Sequence, residues 1–499
     1  MDIRQFFIIV FLSIGIPGIA QDIEINRNCR EAYKQILALD FVQGRKTIEL
    51  EETENPGNLY VEYLDNYIDF LTVFISENNR TFDSISVVSD KRYDLLKEIG
   101  RDNPYRNYLL GNMNLQWAVM RLKFNDYFYA ALNINRAYRL LTGNKETFPN
   151  FVPNDITLGV LHIMIGMVPN NYQWVLRLIN MKGSVTRGRQ ELMMALSTAD
   201  TNPEYSYLKN EILFFMGFVE LNINPKRQQL ERIYQQIAMA DSDNLLISYL
   251  QINILMKTGR NEQALNVFER VSRMNGYTPF YYLDYLQGEC LLRKLDTKKA
   301  SKYYNRFIDR FNGKNYLKDA WRKKAWIALL ENDSAGYFKN LAKVSETGND
   351  DIGQDRDAER EFKENAVPNI FLIKARLLFD GGYYYMADSI LSLMPANGIS
   401  REEQLEKTYR AARIADESGR TDDAKILYDN TIREGKNSPR YFAGNSALKL
   451  AEIYETEGKF TQALHYYNLC LDLDFDEYEA GIHGKAKAGV RRISDTELK

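Results

Sequence analysis

Residues 447–474 read ALKLAEIYETEGKFTQALHYYNLCLDLD, and this stretch decides the fold. Ala447, Leu450, Ala451 and Tyr454 recur at i, i+3, i+4 and i+7, the spacing of one helical face. Gly458 interrupts the pattern, and Ala463, Tyr467 and Cys470 form the facing stripe of a second helix. Alanines at 451 and 463 let two backbones approach closely, with the pair Tyr454 and Tyr467 expected to fill the space beside them. The stretch predicts two short antiparallel helices folded on each other.

Small, aromatic and glycine positions in this order resemble the tetratricopeptide repeat, a helix-turn-helix unit of about 34 residues. Working outward on the small residue that opens the second helix gives Ala264, Ala300, Ala387, Ala424 and Ala463, at intervals of 36, 87, 37 and 39. First-helix partners stand twelve residues earlier, at Ile252, Gly288, Ala375, Ala412 and Ala451, and Gly259, Gly382, Gly419 and Gly458 follow four of these by seven. The long interval leaves room for a degenerate repeat over 321–344, with Ala335 in the small-residue place, and for an insertion, 346–365, with eight acidic and three basic residues. Asp350, Asp351, Asp355 and Asp357 lack the alternate-position spacing and terminal Glu of an EF-hand loop, so a solvated loop is expected there. The fold expected is all-α: a right-handed superhelical array of antiparallel helix pairs, a tetratricopeptide-like α-solenoid. Its parts are a divergent helical region over 21–200, the array over 201–475, and a capping helix with tail over 476–499.

Within the divergent region the block 148–200 is the most distinctive. Phe148, Pro149 and Phe151 precede an apolar helix, 156–168, that contains Gly159 and ends in Met167, Val168 and Pro169; a short hydrophobic helix, 172–180, then leads to Gly183 and a helix containing Gly188. This order is similar to the inclusion-body-clearance family of tetratricopeptide proteins, which includes the tetratricopeptide repeat protein 39 group. Lys182 departs from the pattern, which has an apolar or aromatic residue before the glycine. The resemblance implies a helical-repeat fold and, through relatives that act at mitochondria or lipid droplets, a rival reading as a lipid- or membrane-associated factor using the block 156–181.

The chain has 499 residues, 45% of them hydrophobic, with a formal net charge of −3. Tyr (33) and Phe (25) are abundant while Pro (12) is scarce, which suits stacked helical hairpins with aromatic wedges. The charge argues against a nucleic-acid surface. Arg4, the apolar run 6–16 and the small residues Gly18-Ile19-Ala20 predict a secretory signal peptide over 1–20, cleaved before Gln21, and hence a periplasmic or extracellular-facing location. Cys29, Cys290 and Cys470 are widely spaced. The last two are read as buried hydrophobes, whereas Cys29 is left free to pair with another chain.

No catalytic, metal-ligating or cofactor-binding constellation stands out. The three histidines, His162, His465 and His483, lack an HExxH spacing, and no P-loop, GxSxG elbow or CxxC pair occurs. The expectation is a non-enzymatic scaffold or adaptor that takes a protein or peptide in the concave groove lined by the first helices. The register places Tyr282, Tyr285, Glu289, Leu372, Arg376, Tyr409, Arg413, Asp416, Glu452 and Glu455 toward that groove, or else packed between neighbouring first helices. Tyr and Arg are the residue types that anchor interfaces. Rival roles are the peripheral membrane association above and an accessory role in envelope or glycan processing.

Overall fold

The computed structural model describes residues 23–168, 180–223, 227–238, 243–274, 276–395 and 397–497, and every regular element among them is helical. They divide into two compact units, one drawn from 1–74, 78–212 and 276–278, the other from 75–77, 213–275 and 279–499.

In chain order the first unit holds α1 (Arg27–Leu37), α2 (Phe41–Glu54), α3 (Tyr60–Ser76), α4 (Asn79–Leu96), α5 (Pro104–Lys123), α6 (Tyr127–Thr147), α7 (Val152–Met167) and α8 (Val185–Thr201). Local chemistry sets the boundaries. Asn103 accepts from the Tyr105 N–H and Pro104 follows at the first helical position, where its missing donor costs nothing. Ser184 caps α8 in the same way, through the Arg187 N–H. Helices α7 and α8 pack backbone to backbone. A Cβ on Gly159 would stand 3.0 Å from the Gly188 carbonyl oxygen, and one on Gly183 would stand 2.8 Å from that of His162. The three glycines singled out in the sequence are therefore contact points, and α7 is core. His162 is buried with Nδ1 at 2.5 Å from Glu191. Most of the expected helix 172–180 lies outside the described residues.

The core of this unit contains a carboxylate. Glu211, at the start of α9 (Lys209–Asn222), accepts the hydroxyls of Tyr33 at 2.6 Å and Tyr67 at 2.5 Å. Burial pushes its carboxyl above the ordinary range, and the two phenols only partly offset that. Cys29 is also fully buried, its thiol pushed up to about 12 by burial, so it is a packed hydrophobe rather than an exposed partner for another chain.

After α9 the second unit continues with α10 (Arg227–Ala238), α11 (Leu245–Lys257), α12 (Asn261–Val271), α13 (Tyr282–Arg293), α14 (Thr297–Arg310), α15 (Leu317–Leu330), α16 (Ser334–Ala342), α17 (Gly353–Glu364), α18 (Ile370–Asp380), α19 (Tyr384–Ser392), α20 (Arg401–Glu417), α21 (Thr421–Gly435), α22 (Phe442–Thr456), α23 (Phe460–Asp472) and α24 (Glu479–Glu497). The hairpins are α11/α12, α13/α14, α15/α16, α18/α19, α20/α21 and α22/α23. Ala264, Ala300, Ala387, Ala424 and Ala463 are all fully buried, as are Ile252, Ala375, Ala412 and Ala451, so the register read from the sequence holds. Tyr454 stacks on Tyr466 at 5.6 Å rather than on Tyr467, whose ring lies fully buried.

One turn geometry builds these hairpins. Gly259, Gly382, Gly419 and Gly458 adopt positive φ, and so do Leu295 and Asn332. The residue after each donates its N–H to the carbonyl five positions back, at 2.8–2.9 Å, closing a Schellman turn. Leu39 and Asn125 make the same turn in the first unit, so α1/α2 and α5/α6 are built on the same pattern, centred on Ala32 with Gly44 and on Ala118 with Ala130. A left-handed Leu costs about 1–2 kcal/mol. Each Leu or Asn turn is followed by Asp: Asp40, Asp126, Asp296 and Asp333. Three of these cap the second helix with their side chains, worth about 1 kcal/mol each. Asp126 instead pairs with Arg121 at 2.7 Å.

The turn at Asn332 corrects the degenerate repeat. Seven residues back stands Ala325 and five forward Tyr337, both fully buried, whereas Ala335 is exposed. The repeat therefore sits two positions later in its second helix than the sequence suggested, with an aromatic ring in place of the small residue. The acidic insertion is a second correction, because residues 353–364 form α17 rather than a solvated loop.

The first-helix face of the second unit

The residue one position after the small residue of each first helix forms a rank: Asn253, Glu289, Trp326, Arg376, Arg413 and Glu452. Its middle members face aromatic rings. Lys323 lies 4.3 Å, Arg322 5.1 Å and Arg376 5.3 Å from the Trp326 ring centre, so two helices place cations on one indole. Arg413 lies 4.8 Å over Phe379 and donates to the Tyr409 hydroxyl at 3.1 Å. Among the described residues Arg376 has no hydrogen bond and no ion pair.

The other expected groove residues are mostly engaged within the array. Tyr282, Tyr285 and Tyr409 are buried packing residues, as is Leu372. The Tyr285 hydroxyl donates to Asp319 at 2.6 Å, Tyr282 donates to Glu77, and Tyr409 accepts from Asn445 at 2.6 Å. These three correspond to the packing alternative, and replacing them tests the fold. Glu289, Asp416 and Glu455 each accept a tyrosine hydroxyl from the second helix of their own hairpin: Tyr304 at 2.6 Å, Tyr428 at 3.0 Å, and Tyr467. Glu289 also meets Lys323 at 3.4 Å, Glu455 meets Arg492 at 2.8 Å, and Glu452 pairs with Lys449 at 2.7 Å. An open cleft of about 530 Å³ lies against Asp416, Glu417, Lys449 and Glu452.

Trp326 escaped the sequence reading because the register of its repeat was shifted. Counting from Asn332 instead of Ala335 puts it in line with Arg376 and Arg413. Seven residues earlier on the same helix, Asp319 is fully buried. Burial alone would raise its carboxyl, but Arg322 and Lys323 outweigh that and hold it below the ordinary range. No group of three or more His, Cys, Asp or Glu among the described residues is placed to hold a metal ion.

Two segments match tetratricopeptide-repeat family models, residues 249–315 and 445–477. Among solved structures, a monomeric IFIT1 mutant with Gppp-AAAA aligns over 91% of this chain and 98% of its own, at 14% identity and a TM-score of 0.34. The human IFIT1 dimer with PPP-AAAA aligns over 90% and 95%, at 14% identity and a TM-score of 0.31. A search of curated proteins gave no match. The all-helical architecture, the recurring Schellman hairpin and the two matched segments make the second unit an α-solenoid carrying tetratricopeptide repeats.

Proposed function

We propose that this chain is a non-enzymatic scaffold that holds an acidic segment of a protein partner on the first-helix face of the second unit. One observation carries the reading. Arg376 and Arg413 occupy the same place in consecutive hairpins, and neither makes an ion pair at contact distance among the described residues, although Asp380 and Glu406 act on Arg376, and Asp416 on Arg413, through space. A guanidinium over an aromatic ring keeps its outward N–H donors for a carboxylate, and such charge-assisted bonds are about twice as strong as neutral ones. The acidic neighbours Glu289 and Glu452 frame the pair and would discriminate against a uniformly negative chain such as RNA. A photo-crosslinking residue at Lys449, beside the cleft, tests this: it should trap one acidic segment, lost in the Arg376→Glu, Arg413→Glu double variant. Equal crosslinking in that variant, or crosslinks to RNA, would reject the assignment.

The reading includes export through residues 1–20, which lie outside the described residues; N-terminal sequencing of the secreted protein should begin at Gln21. For the block 148–200 it retains the likeness to the inclusion-body-clearance family, supported by the glycine contacts between α7 and α8.

A second reading, peripheral membrane association, rests on a different place from the one expected. Helix α7 is largely buried, and no described helix is long and apolar enough to cross a membrane. At the start of α6, however, Tyr127, Phe128 and Tyr129 are 64%, 69% and 53% exposed. The Phe128 and Tyr129 rings touch at 5.3 Å and, with Tyr127, expose aromatic surface of the kind that settles at a lipid interface. Flotation with anionic vesicles, lost in Phe128→Asp, would support this reading; no flotation would eliminate it.

A further inference from the structure

Helix α17 is set between two hairpins, and burial does little to hold it there. Only Asp355 and Ala358 of its twelve residues are buried. Ala358 and Phe362 pack on the α15/α16 cluster; the remaining attachments are polar, and on the near side they run in one direction, from donors of the array to carboxylates of α17. Asp355 accepts the backbone N–H groups of Tyr316 at 2.7 Å and Asp319 at 2.9 Å. Tyr316 is itself left-handed and offers no side-chain cap, so Asp355 caps α15 from another helix. Glu361 accepts the Trp326 indole N–H at 2.8 Å and the Tyr337 hydroxyl at 3.0 Å. Lys318 reaches Glu359 at 2.6 Å.

The far side touches residues more than seventy positions later in the chain. Tyr478, just before α24, donates to Asp357 at 2.5 Å, and Arg440, just before α22, pairs with Glu364 at 3.0 Å. Two contacts have the opposite polarity, both from Arg360: to Glu477 at 3.5 Å and to the Tyr478 hydroxyl at 3.5 Å. The helix thus forms a strap from the α15/α16 hairpin to the C-terminal end of the array, and its Glu361 bonds the indole that carries Arg376.

We propose that the donor face beneath α17 is a docking surface for an acidic, helix-forming segment of a partner protein, and that α17 is its resident occupant, displaced by that partner. This deepens the function proposed above and rests on it for the partner's identity, though not for the strap's own exchange. Charge complementarity supplies the specificity: backbone N–H groups, an indole N–H, phenols and cations on the array meet Asp355, Asp357, Glu359, Glu361 and Glu364. The link is ionic and short on apolar area, so competition and salt can both open it.

The probe is a fluorescent peptide with the sequence of residues 352–365, titrated by anisotropy against the full chain and against the strap-weakened Asp357→Asn, Glu361→Gln variant. The variant should bind at least tenfold tighter than the unaltered chain, with affinity falling as salt rises, and a peptide with its acidic residues changed to Lys should not bind. Equal binding by both chains, or binding by neither, overturns the proposal. Competition by a single-stranded RNA oligonucleotide at comparable concentration overturns its acidic-segment assignment. Hydrogen exchange on the unaltered chain is independent of how the variant folds: α17 should lose protection in 0.5 M salt while α15 and α22 keep theirs. Exchange of α17 only together with α15 and α22 makes it a permanent element and also overturns the proposal. The Arg376→Glu, Arg413→Glu chain separates the two readings, since losing the partner crosslink while keeping salt-sensitive exchange of α17 would leave the strap standing by itself.

Discussion

Glu211 in the first unit and Asp355 in the second are both enclosed carboxylates, and burial raises both above their ordinary range. Their surroundings differ in kind. Glu211 is bonded by two phenols, Tyr33 and Tyr67, that belong to a packed aromatic core, with Tyr33 and Tyr67 ring centres 5.6 Å apart and Tyr207 5.3 Å from Tyr33. Asp355 is bonded by two backbone N–H groups at a helix end, and the helix that carries it buries little else. A carboxylate inside a hydrophobic cluster can leave only when the cluster opens. One on a thinly buried helix can leave with that helix. The comparison therefore separates a structural charge from a removable one.

The largest effect should come from stripping the partners of Glu211. The Tyr33→Phe, Tyr67→Phe chain leaves a buried carboxylate without donors and should lose about 3–5 kcal/mol of stability, read from denaturant unfolding. A loss under 1 kcal/mol would mean that Glu211 is neutral or hydrated in the fold, and the contrast with Asp355 would collapse.

Asp355→Ala should have a smaller and more local effect. It removes the cap that α17 supplies to α15, worth about 1–2 kcal/mol, and should appear as faster hydrogen exchange in α17 and the first turn of α15 with the global midpoint little changed. Global unfolding in step with that exchange would place Asp355 in the same class as Glu211.

The smallest effect is pH dependence. Burial holds the Asp355 carboxyl up at about 7, Asp319 adds to that, and the backbone bonds with Arg322 pull the other way. Because the folded value exceeds the ordinary aspartate value of about 3.9, the docked strap favours the neutral acid. The contribution of Asp355 to docking therefore weakens as pH rises toward about 7. Protection of α17 should fall between about pH 5 and 7 and level off above that, a change absent in Asp355→Asn. The groups facing Asp355 include Asp319 and Arg322 of α15, with the Lys318–Glu359 pair beside them.

The hairpins were legible from residues 447–474 outward because helix packing at this scale is local. A small residue, a left-handed turn seven positions on and a second small residue five beyond it all lie within one unit. Ala335 misled because a tyrosine, Tyr337, took the place of the expected alanine, and no small-residue pattern marks that substitution. The groove was legible only as a rank. That Arg376 and Arg413 hold the same place on consecutive first helices follows from the register, whereas the engagement of Asp416 and Glu455 by Tyr428 and Tyr467 depends on hydroxyl geometry that hydrophobic spacing does not encode.

The sequence by itself determined the helical-hairpin architecture, the left-handed glycine turns and the burial of the alanine positions, because side-chain size and backbone sterics act over a few residues. Only the tertiary structure decided that the acidic insertion is a helix, that its carboxylates meet donors contributed by Trp326, Arg440 and Tyr478, and that three expected groove tyrosines are core. Charge pairing and hydrogen bonding join residues by distance in space, and the chain brings those partners together from as many as 121 positions apart.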